Sequence, residues 1–176
     1  MTHTPLGIQR ITSATLTRPS DTTAYAQYDL VANSTTAGSV TPIEIKNAVR
    51  NVNPQEALRI EGLTLYKSGT SLTSASFRVY ILNADPGTFT VGDNARFNTS
   101  GALGIPVVSG LLGYFDVTMS FSGTAGAVGF GVSNTGVPIN AKPANGTSLY
   151  AIIEASAAYT PASAETFDIV LEGQWS

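Results

Sequence analysis

The sequence predicts an all-β protein, an antiparallel β-sandwich of about eight strands with jelly-roll topology, and three observations support this prediction. Its 17 Gly and 9 Pro are spread along 176 residues, so turn signals recur throughout the chain. No window of about 12 residues carries apolar side chains at the i, i+3, i+4, i+7 spacing of an amphipathic helix. The windows that do have a pattern alternate between apolar and other residues, which is the period of a β-strand.

The first three predicted strands are 8–16, 43–49 and 57–67. The first two are short runs in which β-branched and apolar residues recur. In 57–67 the apolar residues alternate up to Gly62 and then change phase, so the sequence predicts a β-bulge at that glycine.

The fourth predicted strand, 77–82, has the clearest alternation in the first half of the chain. Its core face begins at Phe77 and continues at every second residue. The opposite face carries Tyr80 and Leu82, which we therefore expect to point outward and to be covered by a partner subunit.

Four more strands are predicted in the second half, at 111–119, 126–133, 148–156 and 167–172. The first three are aromatic, β-branched or small-residue runs bounded by turn signals. The last places both of its carboxylates on the face opposite its apolar residues. The glycine-rich start of 126–133 superficially resembles a phosphate-binding loop. It lacks the Lys and the helix start that such a loop needs, so it is interpreted as a strand of small residues packed under a neighbouring layer.

Two long connections, 18–41 and 83–110, separate groups of predicted strands. Crossovers of this length are typical of a Greek key or jelly roll, whereas a meander needs only tight hairpins. The chain has no internal repeat and no linker, so residues 1–176 are predicted to form a single β-sandwich domain. Residues 1–10 and 18–41 are predicted to be arm or loop extensions that become ordered on binding.

The composition excludes most catalytic chemistry. The chain has no Cys, so a thiolate nucleophile is ruled out. Its one His, His3, lies near the N-terminus, and no Gly-x-Ser-x-Gly elbow is present to place a serine nucleophile, so no Ser–His–acid triad is expected. Glycoside hydrolysis needs paired carboxylates, and the candidates are Glu61, Glu154, Glu165 and Glu172. Carboxylates on the outward face of a strand also keep a sheet hydrated, and we prefer this explanation. We expect no enzymatic activity, no catalytic residues and no cofactor.

The aspartate residues and the overall charge of the chain favour neither a metal site nor a nucleic-acid partner. Asp21, Asp29, Asp85 and Asp93 have the chemistry to bind calcium, but Asx turns explain them better, so no metal site is expected. With 9 Lys and Arg against 12 Asp and Glu, the chain cannot neutralise many phosphates, and no nucleic-acid partner is expected. No stretch approaches the roughly 20 apolar residues of a membrane span, so no membrane partner is expected either.

Several short motifs follow one another along most of the chain. They are Thr17-Arg18-Pro19 with Asp21, Thr23, Ala24 and Tyr25, then Ala37-Gly38, Lys67-Ser68-Gly69, Ala75-Ser76-Phe77-Arg78, Gly92-Asp93-Asn94 and Tyr159-Thr160-Pro161-Ala162. Together they resemble the head decoration, or cement, proteins of tailed bacteriophages. The resemblance implies a homotrimeric jelly roll on the capsid exterior of the virion, assembled in the host cytoplasm, with the major capsid protein as partner. It implies no catalytic or ligand-binding residues.

The sequence and the resemblance together predict a structural virion protein that stabilises a capsid by bridging capsomers. A surface with few charges and many Ser and Thr suits docking by shape and hydrogen bonding. The predicted contact residues are Arg18, Tyr25, Tyr28 and Asp29 in the long loop, and Tyr80 and Leu82 on the outward strand face.

A second interpretation is a tail-fibre, carbohydrate-binding or receptor-binding β-sandwich module. Aromatic side chains can form a sugar-stacking platform, and the candidate members are Tyr25, Tyr28, Tyr66, Tyr80 and Trp175. Aromatic residues are also enriched in protein interfaces, so the sequence leaves both uses open.

Overall fold

The computed structural model describes residues 9–49, 57–97 and 110–175, and every regular element in these ranges is a β-strand. Because the described ranges contain no helix, none of them provides a helical segment able to cross a membrane. The strands are β1 (Gln9–Thr17), β2 (Leu30–Val31), β3 (Ile43–Ile45), β4 (Leu58–Lys67), β5 (Ser76–Leu82), β6 (Leu111–Gly123), β7 (Gly126–Ser133), β8 (Ile139–Ala141), β9 (Leu149–Ala155) and β10 (Thr166–Trp175).

All strand pairs are antiparallel and belong to one continuous sheet. Its order is β1-β10-β4-β7-β6-β5-β9-β2, with β3 also paired to β9 and β8 to β4. The sheet curls so that β1 comes close to β3 at the other end of the order. The all-β, antiparallel fold is therefore confirmed and is consistent with a sandwich. The jelly-roll topology stays a prediction, because the strands join into one sheet and not into two separate ones.

The predicted strands all have counterparts, and the structure adds two. Strands β2 and β8 escape sequence analysis because they contain only 2 and 3 residues, too few to show a period. The predicted bulge in β4 is also present. Gly62 pairs with Glu172 and Ile60 with Gly173, so Glu61 is the extra residue of the bulge, next to the glycine.

The inner face of the sheet encloses the main hydrophobic core. The alternate residues predicted to face inward from β5 and β10 are all buried: Phe77, Val79, Ile81, Phe167, Ile169 and Leu171. Phe77 packs edge-to-face against Phe167, with ring centroids 5.1 Å apart. Burial of this face accounts for the alternating pattern of the sequence.

The glycines of β7 allow this strand to lie very close to β6. A Cβ atom on Gly129 would be 2.5 Å from the carbonyl oxygen of Thr118, and one on Gly131 would be 2.9 Å from the Cβ of Phe115. The glycine-rich segment is therefore a strand, as predicted, but its small residues allow close contact with the neighbouring strand of the same sheet and not with a second layer.

The described parts of the two long connections, 18–41 and 83–97, pack against the outer face of β5 and β9 and form a second hydrophobic cluster. The cluster consists of Leu30, Ala32, Val40, Tyr80, Leu82, Phe89, Phe97 and Ile152. Tyr80 and Leu82 lie on the face opposite the main core, as predicted, but the expectation that a partner subunit covers them is wrong, because loops of the same chain cover them. Residues 18–41 are a packed loop and not a free arm, and residues 1–8 of the other predicted extension lie outside the described ranges.

Candidate functional site

Two of the predicted contact residues, Arg18 and Tyr25, lie in a buried hydrogen-bond network. Arg18 donates from Nη2 to Oδ2 of Asp93 at 2.8 Å and from Nε to the Tyr25 hydroxyl. That hydroxyl donates to Oδ1 of Asp93 at 2.6 Å, and the backbone N–H of Ala32 donates to the same oxygen at 2.7 Å. The Arg18 and Asp93 side chains are fully buried. The network therefore ties the two long loops together and has no surface to offer a partner.

A second buried network also joins a cationic side chain, a tyrosine and a carboxylate. Lys67 donates from Nζ to Oε1 of Glu165 at 3.2 Å and to the Tyr159 hydroxyl at 2.8 Å. The hydroxyl in turn donates to Oε1 of Glu165 at 2.6 Å. Tyr25 and Tyr159 connect the two networks, because their backbones form an antiparallel bridge and their rings stack 6.5 Å apart. We refer to them as the Arg18 network and the Lys67 network.

Burial shifts the pKa values of several of these groups. It raises the pKa of the Tyr25 and Tyr159 hydroxyls, and a neighbouring carboxylate reinforces each shift, so both tyrosines stay neutral donors. It also lowers the pKa of Lys67, although the Glu165 carboxylate acts in the opposite direction.

The glutamates considered for glycoside hydrolysis do not form an accessible pair. Glu165 is enclosed in the Lys67 network, and Glu154 is buried on β9, where its Oε2 accepts a hydrogen bond from the Tyr80 hydroxyl at 3.2 Å. Burial raises the pKa of Glu154. The other two, Glu61 and Glu172, are half-buried on β4 and β10. These positions give no groove with two opposed, exposed carboxylates.

Of the six predicted contact residues, only Tyr28 is exposed; its ring lies 5.6 Å from the guanidinium of Arg96. Asp29 is buried, and its Oδ2 accepts a hydrogen bond from the backbone N–H of Ala26 at 2.6 Å. The five residues that the chain itself buries are Arg18, Tyr25, Asp29, Tyr80 and Leu82. Within the described ranges, no three His, Cys, Asp or Glu side chains are placed to hold a metal ion, and His3 lies outside those ranges.

The outer face of β6 and β7 carries an exposed apolar surface that sequence analysis missed. It consists of Phe121, Phe130 and Val132, which are 62, 57 and 70% exposed. The two phenylalanine rings touch edge-to-face, with centroids 6.4 Å apart. We call these three residues the β7 patch. Single exposed apolar residues are common on proteins, whereas a contiguous exposed group is a candidate interaction surface.

A β-bulge in β6 places Phe121 in this patch. Met119 pairs with Gly129 and Phe121 with Val128, so one extra residue, Ser120, lies between them. Met119 faces the core, and without the bulge the period of two would turn Phe121 toward the core as well. The alternation of Phe115, Val117 and Met119 gives no signal of this change, which is why the patch could not be predicted.

An open groove of about 660 Å³ lies beside the patch. Its floor contains Tyr66, Val128 and Asp168. One wall is the tip of the β6–β7 hairpin, residues 122–126, and the other is formed by Ser68 and Thr166. Phe121 belongs to both the groove and the patch.

The aromatic platform predicted from the sequence is only partly present. Tyr25 and Tyr80 are buried. Trp175 is half-buried and donates from Nε1 to the carbonyl oxygen of Ala48 at 3.1 Å. Tyr66 is exposed in the groove, whereas Tyr28 belongs to the long loop.

Comparison of the chain with protein-family models, with curated proteins and with solved structures finds no match. Inferences about its function therefore rest on its own sequence and geometry.

Proposed function

We propose that this chain is a structural virion protein without enzymatic activity, which binds the exterior of a capsid and stabilises it by bridging capsomers. The observation that carries this proposal is the β7 patch. Its three apolar side chains are exposed on the outer face of strands whose inner face already packs in the main core. In this proposal, the patch takes the contact role that sequence analysis gave to the six loop and strand residues.

The surroundings of the patch favour a protein partner with an apolar and weakly charged surface. Phe130 pairs across the sheet with Thr118, which is exposed, on one side and with Thr64, whose buried hydroxyl donates to Glu172, on the other. Val132 pairs with Asp116, whose carboxylate is already bound by Arg78 at 2.7 Å. An apolar centre with a polar border is typical of protein interfaces. Such a contact depends little on ionic strength.

We further propose that the docking unit is a homotrimer, as the resemblance to decoration proteins implies. Cyclic symmetry closes an assembly without leaving an open contact, and a formal charge of only -3 per chain adds little repulsion between copies. Light scattering tests this point directly. A mass three times the 18.3 kDa of the chain is expected, and a monomer at working concentration would refute the trimer.

Co-sedimentation with empty heads of the virus that encodes the chain tests the docking proposal. The native protein is expected to pellet with heads, and to do so equally well at low salt and in about 1 M salt, where exposed charge pairs are screened. The double variant Phe130→Ser/Val132→Ser is expected to stay in the supernatant, because it removes most of the apolar area of the patch.

Leu72→Ser is the matched control for this experiment. Leu72 is also exposed, at 37%, but lies in the turn between β4 and β5. It is expected to bind heads like the native protein. Loss of binding in the control, or retention of binding in the double variant, would contradict docking through the β7 patch.

A further inference from the structure

We propose that the groove beside the β7 patch binds a neutral saccharide, with the Tyr66 ring as the stacking surface and the Asp168 carboxylate as a hydrogen-bond acceptor. This activity goes beyond capsid docking. It also depends on residues other than Phe130 and Val132, so the two functions can be tested separately.

The floor of the groove is one row of side chains that crosses the outer face of the sheet. Asp168 pairs with Tyr66, Tyr66 with Val128, and Val128 with Phe121. Residues directly opposite each other in paired strands project from the same face, about 5 Å apart. The row therefore places a carboxylate, a phenol and two apolar side chains side by side. The bulge in β6 is required for this arrangement, because it turns Phe121 outward.

The walls of the groove supply hydroxyl groups. Ser68 and Thr166 form one wall, and Ser68 is held there because its Oγ accepts a hydrogen bond from the N–H of Thr166 at 2.9 Å. Ser122 and Thr124, at the tip of the β6–β7 hairpin, form the other wall. At the end of the row, the Asp168 carboxylate is oriented by a hydrogen bond from the Thr15 hydroxyl.

The charge of the groove favours an uncharged ligand. Among the lining residues the one cation is Lys67, and its ammonium group is buried beneath the floor in the Lys67 network. Asp168 is the one carboxylate of the lining and would repel an anion. A phosphorylated or acidic ligand therefore finds no compensating charge.

A saccharide has the chemistry that such a groove recognises. Its C–H face packs on an aromatic ring, and its hydroxyls donate to a carboxylate and exchange hydrogen bonds with serine and threonine. The volume of about 660 Å³ lies within the range of small-molecule sites. An apolar peptide would displace water from the carboxylate and from the wall hydroxyls without offering hydrogen bonds in its place, at a cost in free energy.

The test uses the full chain on an array of neutral and acidic glycans, followed by NMR titration with the neutral sugar that binds. We expect binding to neutral glycans. Tyr66→Ala is expected to weaken it about tenfold or more, and Asp168→Asn is also expected to weaken it, whereas Tyr66→Phe keeps the ring and most of the affinity. Absence of neutral-glycan binding, or binding confined to acidic glycans, would overturn the proposal.

Tyr28→Ala is the control, because Tyr28 is as exposed as Tyr66 but lies in the long loop outside the groove. It is expected to bind sugar normally, and sugar binding that survives Tyr66→Ala in a folded variant would also refute the assignment. The Phe130→Ser/Val132→Ser variant is expected to bind sugar but not heads. The Tyr66→Ala variant is expected to bind heads but to bind sugar weakly. The two variants therefore distinguish a failure of sugar binding from a failure of capsid docking.

Discussion

Two buried ion pairs, each with a tyrosine hydroxyl between the charges, hold the loops of this protein in place. In the Arg18 network and in the Lys67 network, the tyrosine hydroxyl contacts both the cation and the carboxylate. A buried charge is tolerated when its hydrogen bonds are satisfied, and losing one partner leaves the other charge unsatisfied. These networks therefore make the packed loops sensitive to single substitutions.

Asp93→Asn tests the Arg18 network. The variant leaves the buried Arg18 with only the partly exposed Asp21 as a counter-charge, whose Oδ1 lies 3.4 Å from Nη2, so we expect the free energy of unfolding to fall by about 3 kcal/mol in urea titrations. Asp116→Asn is the control, because it breaks the Arg78–Asp116 pair, in which Asp116 is 56% exposed. That pair is screened by solvent, and a loss of about 1 kcal/mol or less is expected. Equal losses in the two variants would contradict the account.

Glu154→Gln tests the effect of burial on a carboxyl group. Burial raises the pKa of Glu154 above its usual value of 4.5, so the folded protein holds this proton more tightly than the unfolded chain does. Native stability should therefore decrease as the pH rises from about 4.5 through the folded pKa. The glutamine still accepts a hydrogen bond from the Tyr80 hydroxyl but does not titrate.

The variant is expected to gain stability relative to the native protein as the pH rises above about 4.5, measured by chemical denaturation. The exposed Glu44, substituted in the same way, serves as the control. A native-to-variant difference that does not change with pH would show that burial leaves Glu154 unperturbed.

Residue types are easier to identify from the sequence than residue partners. The sequence marks Arg18 and Tyr25 as important, but as surface contacts. Their partner Asp93 is 75 residues from Arg18 along the chain, so no local spacing reveals the network. The sequence identifies Tyr66 as a candidate for sugar stacking, and Tyr66 does lie in the groove. The residues beside it could not be predicted, because the register between paired strands decides which side chains lie next to it.

At the level of secondary structure, the period of two is sufficient to identify the strands that bury one face. It fails where a strand is very short, as in β2, or where a bulge reverses its faces, as in β6. It also fails for β5, whose two faces are both buried, one by the main core and one by loops. An alternating pattern indicates that a strand is present but not what covers its second face.

Gly129→Ala tests the close packing of β7 on β6. The new methyl group would meet the Thr118 carbonyl oxygen and the Val117 side chain, so we expect a loss of about 1–3 kcal/mol in unfolding free energy. Gly123→Ala is the matched control, because a Cβ there has no heavy atom within 4 Å. Thermal unfolding measures the stability of both variants. If Gly129→Ala is as stable as Gly123→Ala, the two strands are less tightly packed than the structure indicates.

At the scale of the whole molecule, two internal clusters bury most of the large apolar side chains of the described residues. The main core fills the inside of the curled sheet, and the second cluster lies under the long loops. The β7 patch stands apart, because no segment of the described ranges covers it. The proposal that a partner binds there follows from this contrast, and the low overall charge suits a permanent contact with a repeated protein surface.

The stability of virus particles tests the central claim most directly. Particles assembled with and without this chain, and with its Phe130→Ser/Val132→Ser variant, are heated or osmotically shocked, and the surviving infectivity is measured. We expect particles that lack the chain, or carry the variant, to lose infectivity sooner than particles with the native protein. Equal survival of all three kinds of particle would contradict the claim that this protein reinforces a capsid through the β7 patch.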